Sequence, residues 1–116
     1  MTLFYLIPSL LLLLTMTRSL PADKPDNQSV ARMVYYSGMV QGVGFRATVA
    51  DISRDHPVTG WVKNLDDGRV QLYVEGREED VKKFLAAVHT RWQKNIDKEE
   101  TEEKKATGEY KMFSIR

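Results

Sequence analysis

The stretch Gly38-Met39-Val40-Gln41-Gly42-Val43-Gly44-Phe45-Arg46 places three of the chain's seven glycines within seven positions, with an arginine close behind them. Residues without a Cβ accept positive φ, so a loop spaced in this way can turn successive backbone N–H groups toward one point. A helix starting just after the loop would aim its free N–H groups and the positive end of its dipole at the same point, which suits an anion. Arg46 adds a planar fork of donors that can grip two phosphate oxygens at once. No Gly-Lys-Ser/Thr closes the stretch, so it is not a nucleoside-triphosphate P-loop. The chemistry reads as a cradle for phosphate or carboxylate, or as a plain turn from strand to helix.

The elements around the stretch must position it. Val34, Tyr35 and Tyr36 predict a strand over Ala31–Ser37 that ends at Gly38. After the loop, Phe45, Val49 and Ile52 recur at i, i+4 and i+7, one buried helical stripe. Pro57 disfavours the α conformation in His56, so the helix stops at Asp55-His56-Pro57. Val58–Asn64 predicts a second strand and Leu65-Asp66-Asp67-Gly68 a turn. Val70, Leu72 and Val74 alternate with Gln71, Tyr73 and Glu75, the pattern of a strand with one wet face. Val81, Phe84, Leu85, Val88 and Trp92 share one helical face, with Glu78, Glu79 and Asp80 in the first turn to match the dipole. Ile96 to Gly108 is charged and almost without apolar residues, so an edge strand followed by a mobile loop is expected. Tyr110 to Arg116 predicts a last strand with Phe113 and Ile115 on one face.

The order β-α-β-β-α-(β)-β implies an α/β (α+β) fold of two layers. This is a ferredoxin-like sandwich, an antiparallel sheet with both helices on one face. Such a fold by itself carries no activity.

With 116 residues the chain has room for one domain, and its 42% hydrophobic content can supply a small core. The net charge of +1 comes without a basic block, which argues against nucleic acid as a partner. There are no cysteines, hence neither disulfides nor thiolate metal sites. Asp66 and Asp67 suit a hairpin turn better than a metal, since no third ligand is nearby in sequence. His56 and His89 read as structural or solvent-facing.

Leu3 to Met16 is almost wholly apolar. As a helix it would span about 21 Å, short of a hydrocarbon core of roughly 30 Å, so no stable membrane span is expected. Residues 1–22 read as a signal peptide, with small residues such as Ser19 and Ala22 near a cut, although no Lys or Arg precedes the apolar run. An exported protein follows, or a cytoplasmic one if residues 1–22 are a misassigned start. Residues 23–30 read as a disordered linker and 31–116 as the domain.

The loop resembles the acylphosphatase signature, Gly-x-Val-Gln-Gly-Val-x-Phe-Arg, which forms a phosphate-binding loop. A second motif stands in the right order: Gly60-Trp61-Val62-Lys63-Asn64, then Asp67-Gly68-Arg69-Val70 and Glu75-Gly76. The ending Phe113-Ser114-Ile115-Arg116 is similar to the family's last strand. The resemblance covers about residues 31 to 116. It implies the ferredoxin-like fold and hydrolysis of small-molecule acyl phosphates to a carboxylate and inorganic phosphate by a monomer, with neither metal nor cofactor.

The family's phosphate-binding arginine maps onto Arg46 and its water-orienting asparagine onto Asn64. The backbone from Gln41 through Gly42, Val43 and Gly44 to Phe45 would supply further donors. A carboxamide both donates and accepts, so Asn64 can hold a water without acting as a strong base. Met39 stands where the family commonly carries a basic residue. Pro57 interrupts the family's usual approach to its second strand. The competing readings are a non-catalytic phosphate- or anion-binding module of the same fold and a carbamoyl-phosphate-handling domain.

Overall fold

In the computed structural model residues 28–116 are described. They form β1 (Ser29–Gly38), α1 (Phe45–Ser53), β2 (Thr59–Asn64), β3 (Val70–Arg77), α2 (Glu78–Trp92), β4 (Ile96–Lys104) and β5 (Phe113–Ile115). The expected signal segment, residues 1–22, and the expected linker as far as residue 27 lie outside the described residues. β1 begins two residues earlier than predicted and takes Ser29 and Val30 from that linker, because β3 is long enough to pair them with Arg77 and Gly76. Among the described residues no helix is long and apolar enough to cross a membrane.

The strands lie in the order β4-β1-β3-β2-β5. β1 pairs antiparallel with β3 and β4, and β2 antiparallel with β3, as the ferredoxin-like reading requires. β5 differs, since it runs parallel to β2 with Val62 opposite Ile115, so the sheet is mixed rather than antiparallel throughout. The reason is topological. β4 and β5 are consecutive in the chain but occupy opposite edges, and β5 starts at the end of the sheet where β4 finishes.

The even-numbered positions Val34, Tyr36, Val62, Val70, Leu72 and Val74 face the helices. They enclose one core with Phe45 and Val49 of α1 and Val81, Phe84, Val88 and Trp92 of α2. Both predicted helical stripes are therefore the buried faces, and each such side chain contributes about 1.5–3 kcal/mol. α1 ends at Ser53, and the N–H groups of Arg54, Asp55 and His56 then bond carbonyls three residues back. That tightening carries the chain to Pro57, ahead of which the α conformation is disfavoured.

The other face of the sheet is drier than the alternation predicted. Tyr73 is 7% and Glu75 4% exposed, and Ala31, Trp61 and Tyr73 form a second cluster with Met33, Ala106 and Tyr110 packed on it. Crossing from β4 to β5 means spanning four strand spacings, about 19 Å. The helices occupy one face, so residues 105–112 cross the other, and eight extended residues reach about 26 Å.

The segment is not the mobile loop that its charge suggested. The Glu75 carboxylate accepts hydrogen bonds from Thr107 N (2.8 Å), Thr107 Oγ1 (2.9 Å), Gly108 N (3.0 Å) and the Tyr73 hydroxyl. β4 is likewise a full nine-residue strand despite its charges, because main-chain pairing with β1 supplies its ladder whatever its side chains prefer.

Burial pushes the Glu75 carboxyl up, but the hydrogen bonds from Thr107, Tyr73 and Gly108 outweigh it and hold the group below the ordinary value of 4.5. The unfolded chain therefore binds this proton at higher pH than the folded one. The resulting stability is complete above the ordinary value and is lost as the pH falls through the folded-state value. Glu75→Gln should destabilise the domain by about 1–3 kcal/mol at neutral pH. It should also flatten the fall in stability on acidification, as followed by urea unfolding across the acid range. An equally steep acid limb in the variant would assign that limb to other carboxylates.

Candidate active site

The glycine loop joins β1 to α1, and its last glycine is the N-cap of α1 with φ 88°. Gly42 also has positive φ, 77°. A Cβ at either position would meet nothing within 4 Å among the described residues, so the backbone angle calls for glycine there. The first helical bond runs from Thr48 N to Gly44 O (3.0 Å). The N–H groups of Phe45, Arg46 and Ala47 thus precede any intrahelical carbonyl, and the first turn carries no acidic side chain to compete for them.

These groups open on a cleft of about 190 Å³ lined by Val40, Gly42, Gly44, Phe45, Arg46, Ala47, Asn64 and Ile115. Of the loop residues singled out in the sequence, Gly42, Gly44, Phe45 and Arg46 line it. Gln41 and Val43 do not. Val43 is 41% exposed on the outside of the loop. Phe45 is buried, with its ring 5.1 Å from those of Tyr36 and Trp92, and this packing fixes the start of α1 over the core. Burial, helped by the charge of Glu99, pushes the Tyr36 hydroxyl far above its ordinary value and keeps it neutral.

The loop is tied down at two places. Met39 N donates to Asn95 O (2.9 Å), and Asn95 Nδ2 donates back to Met39 O (3.0 Å). Gln41 Nε2 donates to Leu65 O (2.7 Å) and Arg69 O (2.9 Å), clasping the turn between β2 and β3. That turn is braced from within. Asp67 accepts from Arg69 N (3.0 Å) and Arg69 Nε (2.9 Å), and the Arg69 backbone N–H is the main influence holding the Asp67 carboxyl below its ordinary range.

Asn64 is the last residue of β2, directly before the clasped turn, and this places it in the cleft. Its Oδ1 is buried and has no hydrogen-bond partner among the described residues. A buried acceptor left unpaired costs about 1–3 kcal/mol, so the position is one where a bound donor gains.

Arg46 reaches the same cleft and is steadied from behind. Its Nη1 donates to the backbone oxygen of Arg116 at 3.0 Å. Arg116 in turn donates its N–H to Val62 O (2.8 Å) and lays its guanidinium over the Trp61 ring at 4.5 Å. A guanidinium has five N–H donors, and the bond to Arg116 uses one of them.

The two histidines sit elsewhere. His56 packs against the Phe84 ring (5.9 Å), and His89 pairs with Glu99 on the surface. Neither lines the cleft, nor does Asp66 or Asp67. Three participants were not visible in the sequence: the Gln41 side chain as a clasp, Arg116 as the brace of Arg46, and Ile115 as a lining residue. Only the apolar spacing of Phe113 and Ile115 hinted at the last, and it pointed to the core. Met39, 70% exposed and bonded through its backbone, is not in the cleft.

The acylphosphatase family model matches residues 32–115. An acylphosphatase of Natronomonas pharaonis is 49% identical over 57 residues, which is 49% of this chain and 62% of that relative. One of Methanospirillum hungatei is 42% identical over 82 residues, 69% of this chain and 89% of the relative. The crystal structure of acylphosphatase from Bacillus subtilis superposes with a TM-score of 0.67 at 32% identity, covering 75% of this chain and 98% of that one. A match that takes in both sequence motifs, on a fold that follows a solved acylphosphatase along nearly its whole length, makes this chain a member of the acylphosphatase family, whose enzymes hydrolyse acyl phosphates.

Proposed function

We propose that the protein hydrolyses acyl phosphates without a metal, holding the phosphoryl group in the glycine loop and orienting the attacking water with Asn64. The observation that carries this reading is the meeting in one cleft of Arg46, a helix N-terminus and the unpaired Oδ1 of Asn64. The backbone N–H groups at the start of α1 and the Arg46 fork take the phosphoryl oxygens. Asn64 Oδ1 accepts a hydrogen bond from the water and keeps its lone pair on phosphorus.

The water oxygen bonds to phosphorus while the bond from phosphorus to the carboxylate oxygen breaks. Both water protons finish on the phosphate, giving a carboxylate and dihydrogen phosphate. A carboxylate leaves as a stable anion, so the step needs neither a general acid nor a Lewis acid. With a loose transition state the protein's task is positioning and charge stabilisation.

The test is benzoyl phosphate hydrolysis by the full chain, followed through release of inorganic phosphate, in excess chelator and across pH 5–9. Turnover should survive the chelator. His56→Ala and His89→Ala should leave the pH profile where it was, since neither side chain lines the cleft. Activity that vanishes with chelator, or a bell-shaped profile displaced by either substitution, would overturn the mechanism. Phosphate binding without turnover would leave an anion-binding module.

A further inference from the structure

The lining of the cleft includes one charged side chain, Arg46. A phosphoryl group brings its own negative charge to that arginine and to the amides around it. A second carboxylate on the acyl part would find no cation of the lining left for it. It would lose hydration at the mouth of the cleft without gaining a partner.

The remaining side chains of the lining are apolar apart from Asn64. Val40 and Phe45 are each 1% exposed and belong to the floor. Ile115 is 48% exposed. It does not complete the core. Phe113, two residues earlier, does that by packing edge-on against Phe84 at 5.6 Å. Ile115 also stands next to Arg116, whose backbone oxygen holds Arg46. An open apolar surface thus lies one residue from the brace of the phosphate-binding arginine.

We infer that the acyl group taken by this site is apolar and uncharged, and that Ile115 is the surface on which it rests, making Ile115 a specificity-determining residue. The inference rests on the acyl phosphate reading above. An aromatic or aliphatic acyl group seated on Ile115 takes apolar area of both partners out of water, which a dicarboxylic acyl group cannot do without burying a charge.

The test compares kcat/KM for benzoyl, acetyl and succinyl phosphate in the full chain, in Ile115→Ser and in Ile115→Leu. The parent should prefer benzoyl to succinyl phosphate by roughly tenfold or more. Ile115→Ser should lower the benzoyl-to-acetyl ratio about fivefold, while Ile115→Leu keeps it. A ratio taken within one preparation is independent of the fraction of folded enzyme, so a weakened β5 cannot imitate the effect. Inhibition by inorganic phosphate, which has no acyl group to lose, should be the same in all three proteins. Succinyl phosphate used as well as benzoyl phosphate, or a ratio untouched by Ile115→Ser, would overturn the inference while leaving acyl phosphate hydrolysis intact. A parent inactive on all three substrates would overturn the functional reading and this inference with it.

Discussion

Arg46→Ala lowers kcat/KM for benzoyl phosphate by about a thousandfold or more and removes inhibition by inorganic phosphate. Arg46 is the charged side chain of the cleft lining, so no neighbour there can take over its work. Its value lies in direction as well as charge. The bond to the Arg116 backbone fixes one nitrogen, and in the proposed mechanism the other donors of the fork take the phosphoryl oxygens. Arg46→Lys therefore recovers little, because an ammonium cannot both keep that bond and present a flat pair of donors. The Arg46 to Arg116 bond is solvent-exposed, so the thermal midpoint should stay close to that of the parent. Steady-state kinetics with inorganic phosphate as the inhibitor checks the whole prediction. A variant within about tenfold of the parent would move phosphate binding to the backbone amides alone.

Asn64→Ala acts on a different quantity. It should lower kcat by about a hundredfold to a thousandfold and leave inhibition by inorganic phosphate nearly as it was, because in the proposed mechanism the side chain orients the water. Its effect on stability should carry the opposite sign from the usual one. The parent holds a buried, unpaired Oδ1, and the alanine variant does not. Removing it should hold or raise stability by about 1 kcal/mol, so unfolding midpoint and rate move apart. Phosphate binding that fell in parallel with kcat would make Asn64 a phosphate ligand.

Both helices could be read from the chain, because Phe45 and Val49, and Val81, Phe84, Val88 and Trp92, repeat with the helical period and bury the face they define. The loop could be read for the same local reason, since glycine spacing states its own backbone needs. What escaped depends on partners far along the chain. Tyr73 and Glu75 alternate like a wet face, and nothing near them announces that residues 105–112 will lie on top. The nine residues of β4 have the composition of a solvated loop and become a strand only because β1 offers an edge. Gln41 looked like one more loop residue, yet its amide reaches carbonyls 24 and 28 positions away. Arg46 and Asn64, each singled out by its own motif, line one cleft, whereas the brace behind Arg46 follows from a parallel β5 that alternation alone could not specify.

The bond from Arg46 to Arg116 closes a span of 70 residues, which bears on the order in which the site is built. The glycine loop and the start of α1 need only β1 and the helix beside them, and Asn64 follows once β2 meets β3. The brace of Arg46 has to wait until the segment after β4 has crossed the sheet and β5 has paired with β2. Contacts so distant in sequence carry the larger closure entropy. The loop and the helix N-terminus thus depend on neighbours in sequence, while the Arg46 brace of the proposed site depends on the last strand being in place.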